Sequence, residues 1–61
     1  MNVILNVKNY NGGYCCFSTI CGYDHFEESN DKHIAISKMR ELAIKVGGLN
    51  TSIIVNDKTV K

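Results

Sequence analysis

One helical stretch, flanked on both sides by alternating segments, sets what this chain can become. Between Lys32 and Val46, residues Ala35, Ile36, Met39, Leu42, Ala43 and Val46 fall on one arc at helical spacing. Ser37, Lys38, Glu41 and Lys45 fall opposite, and Glu41 precedes Lys45 by one turn, the order that suits an ion pair on a helix surface. Gly47-Gly48 supplies the stop, because glycine accepts the left-handed conformation that ends helices. Ser29, Asn30 and Asp31 are all good N-cap types, and acids there also suit the positive end of the helix dipole.

The flanking segments read as strands. Val3, Leu5 and Val7 alternate with Ile4, Asn6 and Lys8, a period of two. Asn9 to Gly13 contains Asn11-Gly12, a pair that tolerates positive φ and marks a hairpin turn. Tyr14 to Cys21 is the return strand, with faces Cys15, Phe17, Thr19, Cys21 and Tyr14, Cys16, Ser18, Ile20. The Phe17 face is favoured inward, although the Ile20 face is nearly as apolar. Residues 22–31, with Asp24, Glu27, Glu28 and Asp31, read as an acidic loop. Thr51, Ile53 and Val55 alternate with Ser52, Ile54 and Asn56 to give a third strand, and Thr59-Val60 extends its pairing briefly.

The order is β-β-α-β, an α+β fold: a hairpin plus a third strand, with one helix on one face, in a single domain spanning 1–61. At 61 residues the chain buries only about 60% of its unfolded surface, so its core is thin. One helix covers one face of such a sheet, which leaves Ile4, Ile54 and, with Phe17 inward, Ile20 on the other. A homodimer joined through that open face or an edge strand, with Ile4, Ile20 and Ile54 in its interface, is the expected way to cover them.

Composition removes several classes of function. No apolar run approaches the roughly 20 residues of a membrane span. The first eight residues carry no basic leader, so the reading is a cytoplasmic chain without a signal peptide. Three cysteines, Cys15, Cys16 and Cys21, are an odd count that argues for reduced, buried thiols over a disulfide framework. The net charge of +1 gives no overall pull toward DNA, yet residues 1–31 carry −3 and residues 32–61 carry +4. Asn, Ile and Lys together make 20 of the 61 residues, a bias that hints at a low-GC bacterium or its phage.

The chemistry-bearing residues do not assemble into a known pattern. Cys16, Cys21, His25 and His33 can be written as four zinc ligands, but the spacing lacks a C-x2-C knuckle. Cys15 and Cys16 point to opposite faces of a strand and cannot chelate together. Cys21 with His25, or Cys16 with His33, has no orienting third group and no room for a pocket, so no enzyme is expected. Neither glycine pair precedes a Lys-Ser/Thr helix, so there is no phosphate loop. No metal or other cofactor is expected.

The stretch from Ala35-Ile36-Ser37-Lys38-Met39-Arg40-Glu41-Leu42-Ala43 through Gly47-Gly48 to Ile53-Ile54-Val55-Asn56-Asp57 resembles short bacterial β-β-α-β domains of unknown function. Tyr14 stands where those domains usually carry a strand tryptophan. In size, compositional bias and compactness the whole chain also resembles the short accessory proteins of phages that infect low-GC bacteria. Some of those inhibit host defence systems, as the small anti-Hachiman and anti-Gabija proteins do. This resemblance implies a viral protein acting in the host cytoplasm on a host protein.

The leading expectation is therefore a non-enzymatic protein-binding module, a phage-type inhibitor that docks on a host protein and blocks it. Asp24, Phe26, Glu27 and Glu28 in the acidic loop, with Arg40 and Ile44 on the helix, are the candidate partner-binding residues. The alternative is a small nucleic-acid-binding regulator that uses Lys38, Arg40 and Lys45 on the helix, with Lys58 and Lys61 downstream.

Overall fold

The computed structural model describes residues 1–59. Its elements are β1 (Asn2–Tyr10), β2 (Gly13–Ile20), β3 (Tyr23–Ser29), α1 (Lys32–Gly47) and β4 (Ser52–Asp57). The strands form one sheet in the order β3-β2-β1-β4. β2 is antiparallel to both β1 and β3, and β4 returns from the helix to lie parallel to β1. Among the described residues the fold is a small α+β domain with a mixed four-stranded sheet and one helix. Thr59 lies beyond the end of β4, while Val60 and Lys61 are outside the described residues.

The segment expected to be a loop is a strand. Asp24, Glu27 and Glu28 belong to residue types depleted in strands, yet β3 is an edge strand, where charge is the usual protection against stray pairing. It is joined to β2 by a second two-residue turn, Cys21-Gly22, whose φ angles of 52° and 83° parallel the 48° and 78° of Asn11-Gly12. Positive φ at both central residues is the type I′ geometry, which matches the right-handed twist of the flanking strands.

The face of β2 is also the reverse of the favoured one. The two-residue turn pairs Tyr10 with Gly13 and hence Val7 with Cys16. Directly paired residues share a face, so inward Val7 carries Cys16, Ser18 and Ile20 inward with it. Ile20 is therefore buried beneath the helix and cannot join a dimer interface on the open face. Ser18 is tolerated in the core because its hydroxyl donates to the Ile4 carbonyl at 2.6 Å.

Val3, Leu5, Val7, Cys16 and Ile20 from the sheet meet Ala35, Met39 and Ala43 from the helix. The alanines let the helix axis approach closely, and Met39 between them fills the gap. Ile36, Leu42 and Ile53 pack around the margin, whereas Val46, assigned to the apolar arc, is exposed at the last turn. Of the three N-cap candidates, Asp31 serves: its carboxylate accepts from the His33 backbone N–H at 2.9 Å. Gly48, at φ 88°, closes the other end by donating to the Ile44 carbonyl.

Candidate functional site

The helix covers one face of the sheet, and the other carries the candidate site. Strand alternation and register place Ile4, Asn6, Lys8 and Tyr10 of β1 there, beside Cys15, Phe17 and Thr19 of β2. Asp24, Phe26 and Glu28 of β3 and Ile54 and Asn56 of β4 complete it.

Side chains on this face form two regions. On the β3 side, Tyr10 and Phe26 meet edge to face, with centroids 5.2 Å apart and planes at 75°. The Lys8 ammonium lies 5.3 Å from the Phe17 ring centroid, within cation–π range. These side chains roof Cys15, which lies between Lys8 and Glu28 in register and has no accessible surface. Phe26 nevertheless remains 50% exposed. On the β4 side, Ile4 and Ile54 are direct neighbours across the parallel pair, 50% and 54% exposed. A polar row separates the two regions: Asn56 Nδ2 donates to Asn6 Oδ1 at 3.2 Å, and Asn6 Nδ2 to the Phe17 carbonyl at 3.4 Å.

The expected partner-binding residues are brought together only in part. Asp24, Phe26 and Glu28 line one side of β3, with Asp24 accepting from the Thr19 hydroxyl at 2.6 Å. Glu27 pairs with Cys16 and so points to the helix side of the sheet. Arg40 is exposed and Ile44 half-buried on the helix, and the sheet stands between them and Phe26. The basic residues of the helix are divided as well. Lys38 and Arg40 are two positions apart, roughly 200° around the helix, so Lys45 shares a flank with Lys38 and not with Arg40.

Sequence reasoning missed Tyr10 and Lys8 as members of this face. The available signal was the length of the turns: two consecutive two-residue hairpins fix which residues of β1, β2 and β3 lie side by side.

The thiols take three different environments. Cys15 and Cys16 are buried on opposite faces, and Cys21 is exposed in its turn, with its Sγ 3.6 Å from Met1 Sδ. Burial, reinforced by the neighbouring Cys15, pushes the Cys16 thiol up to about 11, which keeps it protonated at neutral pH. Among the described residues, no three His, Cys, Asp or Glu side chains converge to hold a metal ion, so the Cys16, Cys21, His25 and His33 set is not assembled. An open depression of about 380 Å³ lies beside the aromatic region, lined by Tyr10, Tyr14, Glu28, Ser29 and Asn30 among others. No described helix is long and apolar enough to cross a membrane.

No protein-family model, curated protein or solved structure matches the chain.

Proposed function

We propose that the chain is a non-enzymatic protein-binding module that acts by covering a surface of another protein, in its most concrete form a phage-type inhibitor docking on a host protein. The observation that carries this reading is the Tyr10–Phe26 pair on the sheet face away from the helix, with Phe26 half exposed. Aromatic side chains that are held rigid by a neighbour yet remain accessible are the kind that anchor interfaces, because little conformational entropy remains to be lost. Asp24 and Glu28 flank the ring on the same strand and favour a partner that presents basic side chains around an apolar spot. Occlusion suits this geometry better than catalysis does, since the depression beside it is open and two of the three thiols are sealed in the interior.

The test is capture by tagged wild-type chain and by Phe26→Asp and Glu28→Lys variants from lysate of a low-GC bacterium, with and without nuclease. Each variant is first shown to be folded by circular dichroism. The expected result is one stoichiometric protein that survives nuclease and is lost with Phe26→Asp. Capture abolished by nuclease would move the function to nucleic acid, and a captured protein indifferent to both substitutions would remove this face from the reading.

A further inference from the structure

We infer that two copies of this chain pair through β4, antiparallel about a two-fold axis at Ile54, to make one continuous eight-stranded sheet. Much of the exposed apolar surface lies at or near this strand, apart from Tyr10, Tyr23, Phe26 and Ile34 elsewhere on the molecule. Among the described residues, Met1, Ile4, Val46, Leu49, Ile54 and Val55 are exposed. They lie on β4, on or next to β1 beside it, or in the last turn of α1 and the connection that leads from it into β4. The helix packs mainly over β2, β3 and β1 and meets β4 at Ile53 and through Lys32–Asp57, so β4 lies at the margin of its cover.

The backbone of β4 is arranged to receive a strand. Ser52 N–H donates to the Met1 carbonyl and Lys58 N–H to the Val7 carbonyl, each at 2.8 Å. In a parallel ladder, donors and acceptors toward one neighbour recur at every second residue. Even-numbered positions from 52 to 58 therefore serve β1, and Ile53, Val55 and Asp57 turn their N–H and C=O groups outward. An edge of this kind is normally blunted by charge, proline or a bulge. Residues 46–56 contain no charged residue and no proline, and Ser52–Asn56 pairs with β1 without a bulge.

The absence of charge admits a second copy at this edge, whereas charge opposes one at the other. Self-pairing of β3 would gather Asp24, Glu27 and Glu28 from each chain along one seam. Self-pairing of β4 about Ile54 sets Ile53 opposite Val55 of the second copy and Val55 opposite Ile53, residues whose outward groups can exchange both main-chain bonds. It sets Ser52 opposite Asn56, and Ile54 opposite itself. On the open face this joins Ile4 and Ile54 to the same pair in the second copy as one uninterrupted row. Moving the axis to Val55 would instead bring Asp57 against Ile53. With the axis at Ile54, Asp57 stays outside the seam, held by Lys32 and Thr59.

Light scattering of the full chain at micromolar concentration is expected to give twice 6.8 kDa, and Ile54→Lys, which opposes two ammonium groups at the axis, to give 6.8 kDa. A cross-linking pair covers the case in which that variant does not fold. In a Cys21→Ser background, Ile54→Cys places two thiols at a directly opposed, non-hydrogen-bonded site, where Cα atoms lie about 4.5 Å apart, within disulfide reach. It is expected to form a covalent dimer on mild oxidation, whereas Asn56→Cys, which faces Ser52, is not. A 6.8 kDa mass for the wild type overturns the inference and leaves β4 open to a strand from another protein. So does a dimer that cross-links through Phe26→Cys but not through Ile54→Cys.

Discussion

The Lys32 ammonium lies 2.9 Å from a carboxylate oxygen of Asp57 and ties the first turn of the helix to the last residue of β4. Asp57 also accepts from the hydroxyl and backbone N–H of Thr59, at 2.6 and 2.9 Å. These Thr59 bonds, and then Lys32, hold the Asp57 carboxyl well below the usual carboxylate range, while the hydrogen bond that the Lys32 ammonium donates to Asp57 raises its own pKa.

A group whose pKa is depressed on folding contributes its stability above its unfolded value, near 3.8 here, and loses it as pH falls through the folded value. The raised Lys32 contributes below its unfolded 10.5 and loses that contribution as pH rises through the folded value. Asp57→Asn is therefore expected to be less stable than wild type at pH 7, with the gap closing as the solution is made strongly acidic. Urea unfolding of both proteins at several pH values checks this. The pair is solvent-accessible, so added salt should narrow the gap as well.

The three thiols should react in two classes. Cys21 is exposed and should take up iodoacetamide in the native protein, whereas Cys15 and Cys16 should label only in denaturant. Mass spectrometry should show one adduct per native chain and three per unfolded chain. Because the Cys16 thiol rises from 9.0 to about 11 on folding, the unfolded chain sheds its proton first. Stability should accordingly fall between those two pH values.

Cys21 occupies a left-handed position, φ 52°, in the turn before Gly22. A side chain there costs roughly 1 kcal/mol that asparagine largely avoids, and Asn-Gly is the favoured pair for this turn. Cys21→Asn should stabilise the protein by about 0.5–1 kcal/mol, a rise in Tm of roughly 2–8 °C for a domain of this size. Cys21→Val should lower it, since a β-branched residue is poorly accommodated at positive φ.

Gly13 reads as part of a turn in the sequence but starts β2, where it is buried against the end of β3. A Cβ at this position would lie 2.8 Å from the Ser29 carbonyl oxygen and 3.2 Å from the Asn30 Cα. Both are backbone atoms and cannot swing aside, so Gly13→Ala should cost about 1–3 kcal/mol. Thermal unfolding followed by circular dichroism measures it.

The helix was legible because three kinds of signal agreed on it: the periodicity around Met39, the cap types before Lys32 and the glycines after Val46. β3 was not legible, because Asp24, Glu27 and Glu28 suit a loop as well as an edge strand, and cysteine is no turn former. The inward face of β2 was in fact determined by the sequence. Asn11-Gly12 as a two-residue turn pairs Val7 with Cys16, but apolar content alone favours Phe17. Of the candidate face, Phe26, Asp24 and Glu28 were named from residue type alone. Their neighbours Tyr10 and Lys8 depended on strand pairing and could not be reached from local pattern.

The parallel pairing of β1 with β4 also governs the order in which the molecule assembles. Asn2 pairs with Ser52 and Val7 with Asp57, contacts that span 50 residues, whereas both hairpins close over two. Closing a long loop is entropically costly and is repaid only once its contacts are made. The β1–β2–β3 meander should therefore nucleate folding and β4 should dock after the rate-limiting barrier. Substitutions at Ile53 are expected to accelerate unfolding while leaving the refolding rate nearly unchanged, and substitutions at Val7 or Cys16 to slow refolding. Stopped-flow chevrons on the two sets would expose β4 as the strand that arrives last and leaves first.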